Sequence, residues 1–386
     1  MGGNLAFYQE LGNRLRKARE ALGMTQTEVA RSLGLNNYQS YSAIEKGERD
    51  LKAWELSRLA KAFNVTIDYL LGSEEPASER PEILWRARRD SEASKQVEQE
   101  FIRFCGYYDL LEKKAGVSPS TNFVPESAGE KSGFNFDKAQ KLAEQYWKRL
   151  DMGSRPAYIL DEMLEQILGV RIFQFRLGDA GSGASTISRF GPSILINADE
   201  APWRRNFNLA HEFFHLVTWN LFDRSKIHCD DAGTKKSKYE QWADSFASAL
   251  LLPKKHVREE LEKRVKNKRG NVWDCVELSR YFGVSLDAFL WRLVTLKMMK
   301  RESVLAVLER PEVKELDREA RRSDWVAPKK FSNRYVFLAI KCLQRGLISR
   351  SKFAEFCDID IADVSNFLSE YGIREEEPCD FELDLA

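Results

Sequence analysis

The sequence predicts a multidomain, mainly α chain: an all-α bundle first, then an α+β core with a small antiparallel sheet, then a C-terminal helical unit. Three observations carry this. Residues 8–72 hold short amphipathic runs punctuated by glycines, and β-type runs cluster within 170–197. Most other segments follow the helical apolar period. At 386 residues the chain exceeds one typical core, so two or three domains are expected.

The first bundle, residues 1–72, opens with a helix bearing Leu11, Leu15, Ala18 and Leu22 and ending at Gly23. Thr25-Gln-Thr-Glu28 is a capping box, with Thr25 as N-cap and Glu28 reaching back. A short helix follows through Val29, Ala30 and Leu33, and Gly34 makes the turn. Asn36 or Asn37 caps the next helix, which turns Tyr41 and Ile44 inward and ends at Gly47. Trp54 to Phe63 and Ile67 to Leu71 close the bundle. A short helix, a glycine turn and a polar-fronted helix constitute a helix-turn-helix.

Residues 73–135 read as a linker and connecting helix. Ser73-Glu-Glu-Pro-Ala-Ser-Glu-Arg-Pro81 is polar and proline-interrupted. Lys95 to Ala115 then carries Phe101, Phe104, Tyr108 and Leu111 on one side, and Pro119 to Ser132 is loop-like. The core is expected over 136–300. Two helices lead to strands at Val170–Arg176, Ser185–Ser188 and Ser193–Asn197. Of residues 301–386, Arg301 to Lys330 is charge-rich and expected to be solvated apart from a docking point at Trp325. Arg334 to Ser369 reads as three short helices, and Glu375 to Ala386 as a solvated acidic tail.

The chemistry concentrates in Asn208-Leu-Ala-His-Glu-Phe-Phe-His-Leu-Val-Thr-Trp219. Helical positions i and i+4 share a face, so His211 and His215 can converge on one metal ion. Glu212 then lies beside the metal, where its carboxylate can take a proton from water. Tyr239 to Pro253 reads as a second helix whose Glu240, Ala243, Asp244 and Ala247 form one stripe. The small alanines permit close approach of the two helices, and Glu240 supplies a third, oxygen ligand. Two histidines, a glutamate and an open position are the catalytic Zn2+ set of thermolysin-type enzymes. Asp244, one turn on, is placed to accept from the outer nitrogen of a ligand histidine. A pair of amphipathic core helices without metal is the competing reading, disfavoured by the cost of burying these groups unpaired.

Arg204-Arg-Asn-Phe-Asn-Leu-Ala-His-Glu-Phe-Phe-His215, with Glu240-x-x-Ala-Asp-x-Phe-Ala247 and Leu250-Leu-Leu-Pro253, resembles the ImmA/IrrE metallopeptidases. Gly23-Met-Thr-Gln-Thr-Glu-Val-Ala-Arg-Ser-Leu-Gly34, with Ile44-Glu-Lys-Gly-Glu-Arg49 and Leu59-Ala-Lys-Ala-Phe-Asn-Val65, resembles the XRE/Cro-like repressor domains. Aromatic Phe213-Phe214 stand where the first family commonly has a smaller pair, and Asp244 where Asn is usual. The resemblance implies a zincin-like, gluzincin-type core and a zinc metalloendopeptidase that cuts a transcriptional repressor or antitoxin. A stress, mobile-element or phage-defence programme would thereby be derepressed. The alternative is a non-proteolytic regulator of the XRE type with a structural or sensory metal site. In the repressor fold the second helix enters the major groove. Asn37, Tyr38, Gln39 and Ser40 are then the residues facing bases, and Gln26, at a helix N-terminus, faces a phosphate. A homodimer is compatible with either reading.

Other candidates are weaker. His228-Cys-Asp-Asp231 holds four ligand types, but contiguous ligands seldom converge, so a solvated loop is expected. His256 is expected to face solvent, and Lys263 to Arg269 to form a solvated basic face. Arg204 and Arg205 precede the metal-binding pair and suit either a substrate carboxylate or a helix surface. The strand Ser185–Arg189 is expected to be a sheet edge beside the metal, where a substrate adds as a further strand.

Composition bounds the setting. Charged residues make up 31% and mean hydropathy is −0.47, and no apolar run approaches the roughly 20 residues that span a bilayer. The first residues lack a basic-then-apolar signal, so a cytoplasmic location is expected. A net charge of +1 means that nucleic-acid contact must rest on a local patch. Six scattered cysteines without CxxC spacing fit reduced thiols.

Overall fold

A computed structural model describes residues 2–21, 24–35, 37–63, 65, 67–72, 81–86, 92–117, 123–127, 133–223, 236–264, 270–322, 324 and 327–373. Outside these lie Leu22, Gly23, Asn36, His228 to Asp231, Val265 to Arg269, Trp325, Cys379 and the acidic tail. The chain forms two compact units, Met1–Arg80 and Pro81–Ala386.

The first unit contains α1 (Gly2–Ala21), α2 (Gln26–Ser32), α3 (Tyr38–Glu45), α4 (Ala53–Phe63) and α5 (Ile67–Leu71). The capping box forms: Glu28 N–H donates to Thr25 Oγ1 at 3.2 Å, and Thr25 N–H donates to Glu28 Oε2 at 2.7 Å. Of the two candidate caps for α3, Asn37 takes the position, accepting from Ser40 N–H at 3.0 Å. Gly34 and Gly47 adopt φ of 72° and 71°, the left-handed conformation that ends a helix at little cost only for glycine. Leu11, Leu15, Val29, Leu33, Tyr41, Ile44, Leu59 and Leu70 form the core. Beneath it Glu45 is buried, accepting from Arg19 Nε at 2.6 Å and Gln26 Nε2 at 2.7 Å. These bonds fix α1 and α2 against the C-terminal end of α3.

The second unit starts with β1 (Leu84–Arg86) and α6 (Glu92–Lys114), then α7 (Phe136–Arg149) and α8 (Leu160–Leu168). Strands β2 (Arg171–Phe175), β3 (Gly183–Ser188) and β4 (Gly191–Asn197) follow. The helices α9 (Pro202–Val217) and α10 (Lys238–Leu251) come next, then α11 (Lys254–Arg264), α12 (Val272–Tyr281) and α13 (Leu286–Thr295). The chain continues with α14 (Arg301–Leu308), α15 (Pro311–Ala320), α16 (Asn333–Gln344), α17 (Arg350–Cys357) and α18 (Val364–Glu370). No described helix is long and apolar enough to cross a membrane.

The sheet is mixed, correcting the antiparallel expectation. Its order is β1-β3-β4-β2, with β2 and β4 parallel and the other pairs antiparallel. The chain reverses twice between β2 and β4, and β4 inserts next to β2, so the two run the same way. Alternate side chains point to opposite faces of a strand. Accordingly Ile172, Ile194 and Ile196 join one core with Ala210, Phe213 and Phe246, whereas Phe173, Phe175 and Leu195 join another with Phe101, Phe104 and Tyr335. The sheet is thus sandwiched between the helices that carry the metal-ligand candidates and a layer made of α6 and α16.

That second layer unites segments that the sequence treats separately. Phe101, Phe104, Tyr108 and Leu111 of α6 are buried as expected, but against the sheet and the C-terminal helices. Amphipathic periodicity identifies an apolar face and not its partner. The expectation for 301–330 is corrected too. Val304 and Val313 are buried in the main core, and Arg321 Nη2 donates to Ser279 Oγ at 2.7 Å and to the Val284 carbonyl at 3.0 Å. Charge density here hides an anchoring face.

At the junction of α6, α8 and α16, Glu165 is buried and accepts from Tyr108 Oη at 2.9 Å and Ser332 Oγ at 2.5 Å. Burial pushes its carboxyl up to about 7. Between about 4.5 and 7 the folded state therefore holds a proton that the unfolded chain has lost. Stability should fall as pH rises through that window, by on the order of 3 kcal/mol. Glu165→Gln has no such proton to lose. Thermal denaturation across pH 4.5–7 should show the variant gaining on the wild type as pH rises, and parallel curves would contradict this account.

Candidate metal centre and helix-turn-helix

Helix α9 begins with Pro202 at its first turn, where a missing N–H costs nothing, and its 208–217 stretch is wholly buried. Helix α10 is capped by Ser237, whose hydroxyl accepts from Glu240 N–H at 3.3 Å. The Glu240 side chain turns instead toward the two histidines. Ala243 and Ala247 are fully buried on the shared core, as the small-residue stripe predicts.

His211, His215 and Glu240 come together with one ligand atom each. His211 Nε2 lies 3.1 Å from His215 Nε2 and 3.0 Å from Glu240 Oε2, and His215 Nε2 lies 3.2 Å from Glu240 Oε1. Metal–ligand bonds of about 2.0–2.1 Å in a tetrahedron have edges of roughly 3.3 Å, so these separations suit a zinc-sized ion. The chemistry agrees. Two buried imidazole nitrogens facing each other across a carboxylate can share one cation. Glu240 is held well below the usual carboxylate range by His211 and His215, against the opposing effect of burial.

Asp244 stands where the sequence places it. Its Oδ1 accepts from His211 Nδ1 at 2.9 Å, which in the tautomer that leaves Nε2 unprotonated turns that lone pair to the ligand group. Asp244 also accepts from Lys236 Nζ at 2.7 Å and Arg86 Nη2 at 3.3 Å. Burial opposes its ionisation, but His211, Arg86 and Lys236 keep it below the usual range. Glu212 is fully buried, and burial raises its carboxyl. Ser185 Oγ donates to Glu212 Oε2 at 2.8 Å, whereas Glu212 Oε1 has no protein partner. A buried carboxylate oxygen left open next to a metal-ligand group is what a water-activating base requires.

Phe213 and Phe214 fill the core: Phe213 packs edge-on against Tyr146 with ring centroids 5.1 Å apart, and Phe214 against Phe246 at 5.4 Å. Arg204 is exposed, and Arg205 is buried with Nη1 on the Ala198 carbonyl at 3.4 Å. His256 does not simply face solvent. It is partly buried against Trp147, with Nδ1 3.0 Å from Glu259 Oε2. Lys263 and Arg264, the described part of the basic run, both bond Glu260.

Two residues, one on Glu212 and one on Asp244, escape sequence reasoning. Ser185 sits in a predicted strand, but nothing in the local pattern says that it faces Glu212. Arg86 lies in the segment read as linker, and three residues are too few for a period to register.

In the helix-turn-helix, Asn37, Tyr38 and Gln39 are exposed. Asn37 Oδ1 is occupied by the Ser40 N–H and hydroxyl, so these two residues hold the helix start. Gln26 departs from its expected phosphate-facing role in one respect: its Nε2 donates inward to Glu45.

Fold and site define a helix-turn-helix protein whose second unit has a metallopeptidase-type fold. The profile of the IrrE N-terminal-like domain matches residues 165–294, and a helix-turn-helix profile matches residues 15–70. Curated relatives include the HTH-type transcriptional regulator ImmR of Bacillus subtilis (strain 168), 42% identical over 65 residues, 17% of this chain and 50% of the relative. An uncharacterized transcriptional regulator in ATPase CF(0) region of Rhodospirillum rubrum is 35% identical over 75 residues, 19% of this chain and 68% of the relative. The chain thus spans half the length of the first and about two thirds of the second. No solved structure gives a significant match.

Proposed function

We propose that the chain is a zinc-dependent endopeptidase fused to its own DNA-binding domain, cutting a transcriptional repressor or antitoxin and so derepressing a stress, mobile-element or phage-defence response. The observation that carries the reading is the open Glu212 Oε1 beside the His211, His215 and Glu240 group. His211, His215 and Glu240 would hold the ion, with Asp244 fixing the His211 tautomer. Zinc bound there supplies Lewis-acid polarisation of a peptide carbonyl and lowers the pKa of water. Glu212 Oε1 takes a proton from the attacking water and delivers it to the departing amine. Ser185 orients that carboxylate through Oε2. Buried surroundings raise the proton affinity of Glu212, which suits a group that must both accept and return a proton.

DNA binding is supported by the helix-turn-helix match and by the regulator relatives. Exposed Tyr38 and Gln39 on α3 are the base-facing candidates, and Asn37 and Ser40 the frame that presents them. The test is incubation of the zinc-loaded full chain with small repressors encoded beside its gene. A single defined fragment is expected, lost on chelation and restored by zinc. Intact repressors throughout, with zinc bound stoichiometrically, would leave a regulator with a non-catalytic metal site.

A further inference from the structure

The edge where a substrate strand was expected is already taken. Strand β1 pairs antiparallel with β3, Leu84 opposite Ser185, Trp85 opposite Ala184 and Arg86 opposite Gly183. These are the residues of β3 that border the base: Ser185 bonds Glu212, and a Cβ at Gly183 would lie 3.2 Å from the Glu212 side chain. An extended peptide added to an exposed edge gains main-chain bonds and sets alternate side chains into pockets. Strand β1 does both. Leu84 lies in the core that contains α9, and Trp85, on the other face, lies in the opposite core. Arg86, back on the first face, donates to Asn208 Oδ1 at 2.5 Å and Asp244 Oδ1 at 3.3 Å, with its guanidinium 5.8 Å from the Phe207 ring centroid. Asn208 is itself oriented by donating to Glu200.

We infer that β1 is an internal occupant of the substrate-strand position, and that Arg86 marks a subsite for a basic side chain. The ligand this describes is an extended segment with Arg or Lys and, two positions earlier, an apolar residue. The inference rests on the proposed proteolytic function and names the class of sequence that would enter its site. It accounts for the closed state of the centre, in which His211 and Glu212 are 0% exposed. With only three paired residues, β1 is short enough to be exchanged for a competing strand. Besides the Trp85 indole on Glu98 and the Ser182 N–H on the Arg86 carbonyl, side chains hold both ends: Arg86 at the acidic subsite, and Thr186, whose Oγ1 donates to the Glu82 carbonyl at 2.6 Å.

The test uses zinc-loaded full chain in a Glu212→Gln background, so that no peptide is consumed. The probe is a peptide of residues 83–90, labelled with fluorescein at its C-terminus and lacking the residue that Thr186 holds, and a counterpart with norleucine in place of Arg86, both read by polarisation. Arg86→Ala and Thr186→Val each loosen β1 from a different end. Both variants should bind the arginine peptide at least about tenfold tighter than the parent, and the norleucine peptide at least about tenfold more weakly than the arginine one. Equal affinity in parent and both variants would make β1 a fixed wall of the cleft and overturn the inference. Equal affinity for the two peptides would overturn the basic subsite. Because the readout is binding, absence of repressor cleavage would overturn the proteolytic reading and not this result.

Discussion

Glu212→Gln is expected to lower repressor cleavage by about 10²- to 10⁴-fold, the usual worth of a positioned proton-transfer group, while the zinc content stays at one ion per chain. The substitution conserves volume, and a carboxamide oxygen still accepts from Ser185 Oγ, which now bonds Glu212 Oε2. The packing around a fully buried side chain is therefore kept. What disappears is the capacity of the open oxygen to accept a proton. Single-turnover cleavage and metal analysis on the same preparation check this together. Cleavage at the wild-type rate with zinc retained would show that another group activates the water, and loss of zinc would make Glu212 a ligand.

Glu240→Ala is expected to abolish the stabilisation that zinc confers. A ligand present at a thousand times its dissociation constant stabilises the folded state by about 4 kcal/mol, so zinc titration should raise the Tm of the wild type by many degrees. In the variant, two imidazoles remain with no carboxylate between them, and the oxygen that lies 3.0 Å from His211 Nε2 is gone. Calorimetry with stepwise zinc should show a flat Tm, and metal analysis less than a tenth of an ion per chain. A zinc-dependent rise of wild-type size in Glu240→Ala would remove this residue from the ligand set. The two variants separate the roles: one loses chemistry and keeps the ion, the other loses the ion.

The candidate site is legible in the sequence because its parts are local. His211 and His215 share a helical face by spacing alone, and Asp244 follows Glu240 by one turn. The capping box and the turn glycines of the first bundle are local as well, and the structure bears them out. Ser185 and Arg86 were not legible, since neither belongs to a helical stripe or motif that marks the residue it meets. Pairing of a strand depends on which edge is free, and that is known only once every other strand has been seated.

By itself, then, the sequence determined the helix-turn-helix, the pair of helices that carries the ligand candidates, and the residue types that suit a metal and a base. Periodicity, capping and side-chain chemistry act over a few residues and leave their mark in the order of the letters. The tertiary structure alone decided that the sheet is mixed and that the connecting helix and C-terminal helices share one core. It also decided that a three-residue strand from the supposed linker lies against the edge facing Glu212. Those outcomes follow from competition among distant apolar faces and strand edges for the same partners, which only the assembled chain resolves.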